Sequence, residues 1–215
     1  MITIDINEFL NMLGNYNTDI WPMQIIISLF GLIPVYFLFK QTVYSHRIIT
    51  TFLALCWLWV GLVFCFKYWA PIFGFAYVFA GVCVITGLLF LYAGYKNKFR
   101  FRYSKNWRSV IGLILIFYGI IGYQALGYAF NHIFPELFAF GLVPCPTAIY
   151  TIGLFMMTDR KVPVLYLLGP IILSTAGFKV VPLGVYEDII LIVAGLFAVF
   201  IIFKPPAYEN QVKTK

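Results

Sequence analysis

Seven long apolar runs separated by short polar segments dominate the chain. They fall at about 21–39, 48–67, 70–92, 109–130, 136–157, 162–180 and 185–203. Each is close to the roughly 17–25 residues that a helix needs to cross a bilayer. The pattern predicts an all-α fold: a polytopic bundle of seven transmembrane helices over 21–203, an N-terminal segment 1–20 and a tail 204–215. In the first segment Ile6, Phe9, Leu10 and Leu13 recur at helical spacing, which predicts a short amphipathic helix lying in the interface. Pro22 suits the first turn of the first span and Pro34 should kink it. The second and third runs almost touch at Ala70-Pro71, so they form a tight hairpin. Gly74 and Gly81, and likewise Gly112 and Gly119, are seven apart and are expected to mark close helix contacts.

Composition removes the soluble alternative. Hydrophobic residues make up 62% of the chain and charged residues only 11%, against about 25% charged in soluble domains. The net charge of +7 would suit nucleic acid, but the placement of the charges does not. With loops 40–47, 93–108 and 158–162 and the tail on one side, that side holds all the Lys and Arg except Lys67 and Lys179. Six of the acids, Asp5, Glu8, Asp19, Glu136, Glu187 and Asp188, fall on the other side. This asymmetry predicts an N-terminus outside, a cytoplasmic C-terminus and residence in the inner (plasma) membrane. The first residues carry Asp5 and Glu8 rather than a positive n-region, so the first span is expected to serve as its own uncleaved signal. The expected partners are the lipid bilayer, with anionic lipids at Lys96–Arg108, and not nucleic acid; a homo-oligomer is compatible with the sequence. In that loop the rings of Phe99, Phe101 and Tyr103 alternate with charges and are expected to dip into the interface.

Candidate chemistry centres on Gly141-Leu142-Val143-Pro144-Cys145-Pro146-Thr147 in the fifth run. Each proline lacks an N–H and disfavours helix in the residue before it. The helix should break here and restart with Pro146 as its first helical residue and Cys145 near the N-cap. Irregular backbone at membrane depth is tolerated where it lines a cavity, and broken helices build transporter sites. The expected path residues are Cys145, Thr147 and Thr151, with Gln124, Ser174 and Thr175 as other deep polar groups. His132, Glu136, Lys179, Glu187 and Asp188 are expected at the outer helix ends as a vestibule, Lys179 being placed to pair with Glu187 across the Pro182-Leu183-Gly184 turn. The same charges also suit simple interfacial snorkelling. Cys145 is a candidate ligand for a soft metal. Cys56 and Cys65, nine apart, lie on opposite faces of their helix and cannot share one ion. No nucleotide, haem or hydrolase signature is present and no cofactor is expected. The last run has no lysine before Lys204 that could carry retinal.

Three stretches together resemble a family of bacterial multi-helix membrane proteins defined only as a domain of unknown function. They are Tyr16-Asn17-x-x-Ile20-Trp21-Pro22-x-Gln24, then His132-x-x-Pro135 leading to Pro144-Cys145-Pro146-Thr147-x-Ile149-x-Thr151-x-Gly153, and Leu183-Gly184-Val185-x-Glu187-Asp188. Asn131-His132 and Phe134-Pro135 stand where the family pattern has Gly-His and Tyr-Pro. The resemblance implies fold and membrane location and brings no activity. The functional expectation is a small transporter or channel component for a soft metal or small solute. The alternatives are a thiol oxidoreductase using Cys145 and a non-catalytic assembly subunit.

Overall fold

The computed structural model describes residues 6–204. Asp5, Glu209, Lys213, Lys215 and nearly all of the expected tail lie outside the described residues. Within them the chain forms eight main helices: α1 (Ile6–Asp19), α2 (Met23–Phe39), α3 (Ser45–Trp69), α4 (Ala76–Tyr95), α5 (Trp107–Ala129), α6 (Pro144–Met156), α7 (Val164–Val180) and α8 (Asp188–Phe203). The non-helical pairing is an isolated antiparallel bridge between Phe101 and Thr158. Four helices, α3, α4, α5 and α7 with its short 3₁₀ extension to Leu183, are long and apolar enough to cross a membrane. A fifth span arises if α1 and α2, bent by 80°, are taken together. Large apolar side chains such as Leu29, Leu55, Ile85, Ile114 and Leu196 face outward, as a lipid-facing surface requires. The fold is compatible with a membrane protein.

Three expected spans are shorter than the hydropathy pattern suggests. Helix α2 is interrupted at Gly31. Pro34 cannot donate to the carbonyl four residues back, and the Tyr150 hydroxyl enters here, donating to the Gly31 carbonyl at 2.8 Å. Helix α8 begins only at Asp188, after a turn in which Gly184 has φ +105°. The fifth run differs most. Residues 136–143 are irregular chain with a turn at 140–142, not a first half-helix, and helicity starts at Pro144 rather than Pro146. Thirteen residues of α6 reach about 20 Å at the α-helical rise, short of the roughly 30 Å hydrocarbon core. All of them except Cys145 are buried, so α6 is the central post of the bundle, flanked by α5, α7 and α8.

Glycine sets the spacing around that post. A Cβ on Gly112 of α5 would lie 2.7 Å from the Gly153 carbonyl oxygen, and one on Gly153 would lie 2.7 Å from that of Gly112. Gly119 meets the Pro146 carbonyl in the same way. These contacts bear out the expectation for Gly112 and Gly119. Gly74 and Gly81 have nothing within 4 Å. The tight α3–α4 hairpin is closed instead by Gly61, against Ala80 and Val84, and by Gly87, against Ala54 and Leu58. Spacing along one helix shows which glycines share a face but not which face meets a neighbour.

The polar groups of α6 are tied inward. The Trp57 indole N–H donates to Thr151 Oγ1 at 3.0 Å, and that hydroxyl donates to the Thr147 carbonyl at 2.7 Å. Thr151→Val should leave a fully buried indole N–H without an acceptor, at a cost of about 1–3 kcal/mol. The expected result is a lower melting temperature in lipid nanodiscs that Thr151→Ser restores.

Helix α1 is bent 80° from α2 and packs one face against the bundle. Its Leu13 and Tyr16 are fully buried, and Phe9 packs edge-on against Phe64 and Trp69. The Tyr16 hydroxyl donates to the Leu142 carbonyl at 2.8 Å. The Asn17 amide donates to the carbonyls of Pro135 and Leu137 at 2.6 and 2.7 Å. Thus α1 holds the irregular segment that feeds α6. Rings in the loop after α4 are also internal: Phe99 and Phe101 are 1% exposed, where the alternating pattern predicted interfacial rings.

Candidate functional site

Four segments converge at the head of α6. The first is the turn after α7, which delivers Glu187 and Asp188 into the bundle with no exposed surface on either. The second is a π-helical stretch of α5, Tyr118–Gly122. Side chains five apart diverge on an α-helix but align where the turn widens. Here the widening lets Tyr118 and Tyr123 act together. The Tyr118 hydroxyl donates to the Glu187 carbonyl at 3.0 Å, and the Tyr123 hydroxyl donates to Asp188 Oδ1 at 2.5 Å.

The third segment is the loop after α5. His132 Nδ1 sits 2.6 Å from Glu187 Oε1, and its backbone N–H donates to the Gly127 carbonyl at 2.9 Å. A Cβ at Gly127 would come within 2.8 Å of the same carboxylate oxygen. The fourth is the start of α6, where the Cys145 thiol faces Asp188 and Tyr123. Val143 caps this helix and its own N–H reaches the Ala139 carbonyl. A helix start normally leaves several orphan N–H groups. Prolines at 144 and 146 remove two of them, which leaves Cys145 as the N–H without an intrahelical acceptor. Thr147 Oγ1 ties the entry by accepting from the N–H of Gly141 (φ +73°) and donating to the Val143 carbonyl.

At this site two carboxylate oxygens remain buried without a hydrogen-bond partner, Glu187 Oε2 and Asp188 Oδ2. Asp188 and Cys145 line a largely enclosed chamber of about 50 Å³. The rest of its wall is apolar, with Phe9 of α1, Phe64, Trp69, Phe79 and Phe138 prominent. An apolar space stays dry unless polar groups hold its contents, and here the lining residues bring one carboxylate, one thiol and the indole N–H of Trp69, which is also buried without a partner. Cys145 is only half-buried because it borders this space.

The expected site residues divide. Cys145, His132, Glu187 and Asp188 come together. Thr147 and Thr151 are fully buried and engaged by backbone or indole, away from the chamber. Ser174 donates to the Pro170 carbonyl. Thr175 faces outward and bonds Ile172. Gln124 borders a separate groove with Gln24 and Tyr128. Glu136 packs at Gly14 of α1. Lys179 is exposed, and the acid it was expected to pair with, Glu187, is turned inward to His132. Among the described residues no three His, Cys, Asp or Glu side chains converge to hold a metal ion. All four cysteines are free. Cys65 and Cys83 touch each other through their thiols, whereas Cys145 turns to Asp188. Tyr118 and Tyr123 escape sequence reasoning, since their five-residue spacing has meaning only on a π-turn.

Some of the residues that carry the family resemblance meet here: His132 on Glu187, Cys145 on Asp188 and Gly184 in the turn that delivers both acids, with Tyr16 and Asn17 on the segment that leads in; Gln24, Thr151 and Gly153 lie elsewhere. No curated protein and no solved structure matches the chain. One family model does, over residues 6–213. The chain belongs to DUF6064, a family of unknown function.

Proposed function

We propose that this is a multi-pass membrane protein that takes a small solute into the chamber at the head of α6, as a transporter or channel component with Asp188 as the anchoring group. The observation that carries the reading is the buried Asp188 with an unpartnered oxygen on the wall of an otherwise apolar chamber. An ionisable group at membrane depth is costly and marks ligand or ion pathways. Sidedness supports it. The basic loops are tied together at one end of the bundle, Gln41 to Phe101, Arg160 to Asn97 and Arg108 to Lys204. The chamber lies toward the opposite end. In the seven-crossing reading of α2–α8, with the basic end cytoplasmic, the chamber faces outward and α1 covers it. A carboxylate in such a space selects a small cation or hydrogen-bond donor, not a soft metal with several protein ligands. At about 10–15 Å³ per water-sized position, the chamber suits a solute of roughly three to five heavy atoms. A thiol oxidoreductase using Cys145 ranks second: Cys65 and Cys83 are in thiol contact and Cys145 lies near both, but its own thiol turns to Asp188.

The test uses the full chain in nanodiscs with Cys56, Cys65 and Cys83 replaced by Ala, so that Cys145 is the sole thiol. A membrane-impermeant maleimide should label it slowly, and faster when Phe9→Ala thins the cover. Ethylammonium should slow the labelling, and Asp188→Asn should abolish that protection. Absence of labelling before denaturation, in the Phe9→Ala background as well, would leave only the assembly-subunit reading.

A further inference from the structure

A second site lies at the basic end of the bundle. Residues 99–102 are extended and pinned to the segment after α6: the Arg102 N–H donates to the Met157 carbonyl at 2.9 Å, and the Asp159 N–H donates to the Arg100 carbonyl at 3.1 Å. Alternation along an extended backbone sends neighbours to opposite faces. Phe99 and Phe101 point inward, with Phe99 4.8 Å from the Tyr166 ring and Phe101 5.4 Å from that of Phe155. Arg100 and Arg102 are therefore on the outer face. Across the bridge stands Arg160, whose Nη1 is held by the carbonyls of Asn97 and Lys98 at 2.9 and 3.3 Å. These three arginines, His46 and a single acid, Asp159, line a groove of about 760 Å³. Of the other cations nearby, Lys98 sits over the rings of Tyr92 and Tyr166, Arg47 donates to Asn97 Oδ1 at 3.2 Å, and Arg108 is buried against Lys204.

We propose that Arg100, Arg102 and Arg160 form a headgroup site for an anionic phospholipid, taking its phosphate between guanidinium groups. Planar guanidinium forks suit phosphate oxygens better than a lysine point charge does. An apolar edge selects lipid over free phosphate. Val43, 81% exposed, lines the groove, and Tyr44, 63% exposed, adjoins it in sequence, where they would meet acyl chains. A purely topological role needs only positive charge in the loop. It does not need arginines set on pinned backbone with their intervening rings in the core.

Native mass spectrometry of the full chain released from nanodiscs containing phosphatidylglycerol and phosphatidylcholine decides this. Retained phosphatidylglycerol is expected for the parent chain. Arg100→Gln with Arg102→Gln should reduce it about tenfold, while Lys179→Gln at the far end leaves it unchanged. Arg100→Lys with Arg102→Lys keeps the charge that topology requires, yet should lose several-fold. Equal retention in the Gln, Lys and parent chains, or equal retention of both lipids, would overturn the proposal. So would displacement of the lipid by millimolar inorganic phosphate, which would assign the groove to a free anion. Should the Gln pair fail to fold, the Lys pair alone carries the decision.

Discussion

Replacing Gly153 by alanine should cost the fold about 1–3 kcal/mol or more, and replacing it by leucine should abolish the folded bundle. The added carbon meets the backbone oxygen of Gly112 on α5 at 2.7 Å, and beside it the Ile116 N at 3.0 Å. Backbone cannot rotate aside as a side-chain tip can, so α5 and α6 would have to separate along their whole contact. Gly112→Ala should behave alike, because its clash is the mirror of the first. Gly74→Ala is the control: with nothing within 4 Å, it should stay within about 0.5 kcal/mol of the parent chain. Thermal unfolding in nanodiscs separates the cases. Equal, small losses at all three positions would mean that α6 is not packed as described.

The second large effect is expected at Tyr123 and Asp188. Tyr123→Phe removes the hydroxyl donor to Asp188 Oδ1 and leaves the weakly donating Cys145 thiol as the polar neighbour of this buried carboxylate. A hydrogen bond to a charged group contributes about 1.5–3 kcal/mol, and an orphaned buried charge costs more. Asp188→Leu alone strands the Tyr123 hydroxyl. Making both changes together removes both unmet demands, so the double variant should be less destabilised than the sum of the singles by about 1 kcal/mol or more. That recovery would be in stability alone. Every chain lacking Asp188 should still fail to protect Cys145 in the presence of ethylammonium. Additive stabilities would show that the pair does not interact, while restored protection in the double variant would remove Asp188 from the solute site.

Much of this architecture was legible in the linear pattern, and the failures have physical causes. Apolar length located each helix that follows the N-terminal segment. It overstated α6, because residues 137–143 are apolar and buried yet not helical, and hydropathy counts burial rather than backbone state. Pro144 and Pro146 correctly announced an irregularity, but two prolines this close start a helix as readily as they break one. The charges at Glu187 and Asp188 were placed at a helix end, as they are. Their direction was not legible, since the partners that draw them inward, His132, Tyr123 and Tyr118, lie 55–69 residues away. Likewise Thr147 and Thr151 look like path-lining hydroxyls until Trp57, 94 residues from Thr151, is seen to occupy one of them.

The short central post also constrains how the molecule is made. On the multi-pass reading, a segment of thirteen helical residues, entered through non-helical chain, offers the insertion machinery too little continuous helix to partition into lipid unaided. It must enter with company. Helix α5, which supplies the glycine seam, emerges first, while α7 and α8, which complete the enclosure, are synthesised after it. The acids that meet its head arrive last of all, on α8. On the same reading the chamber cannot close until the turn after α7 has been made, and a ribosome-stalled chain ending before Asp188 holds a Cys145 that has not yet acquired its neighbour.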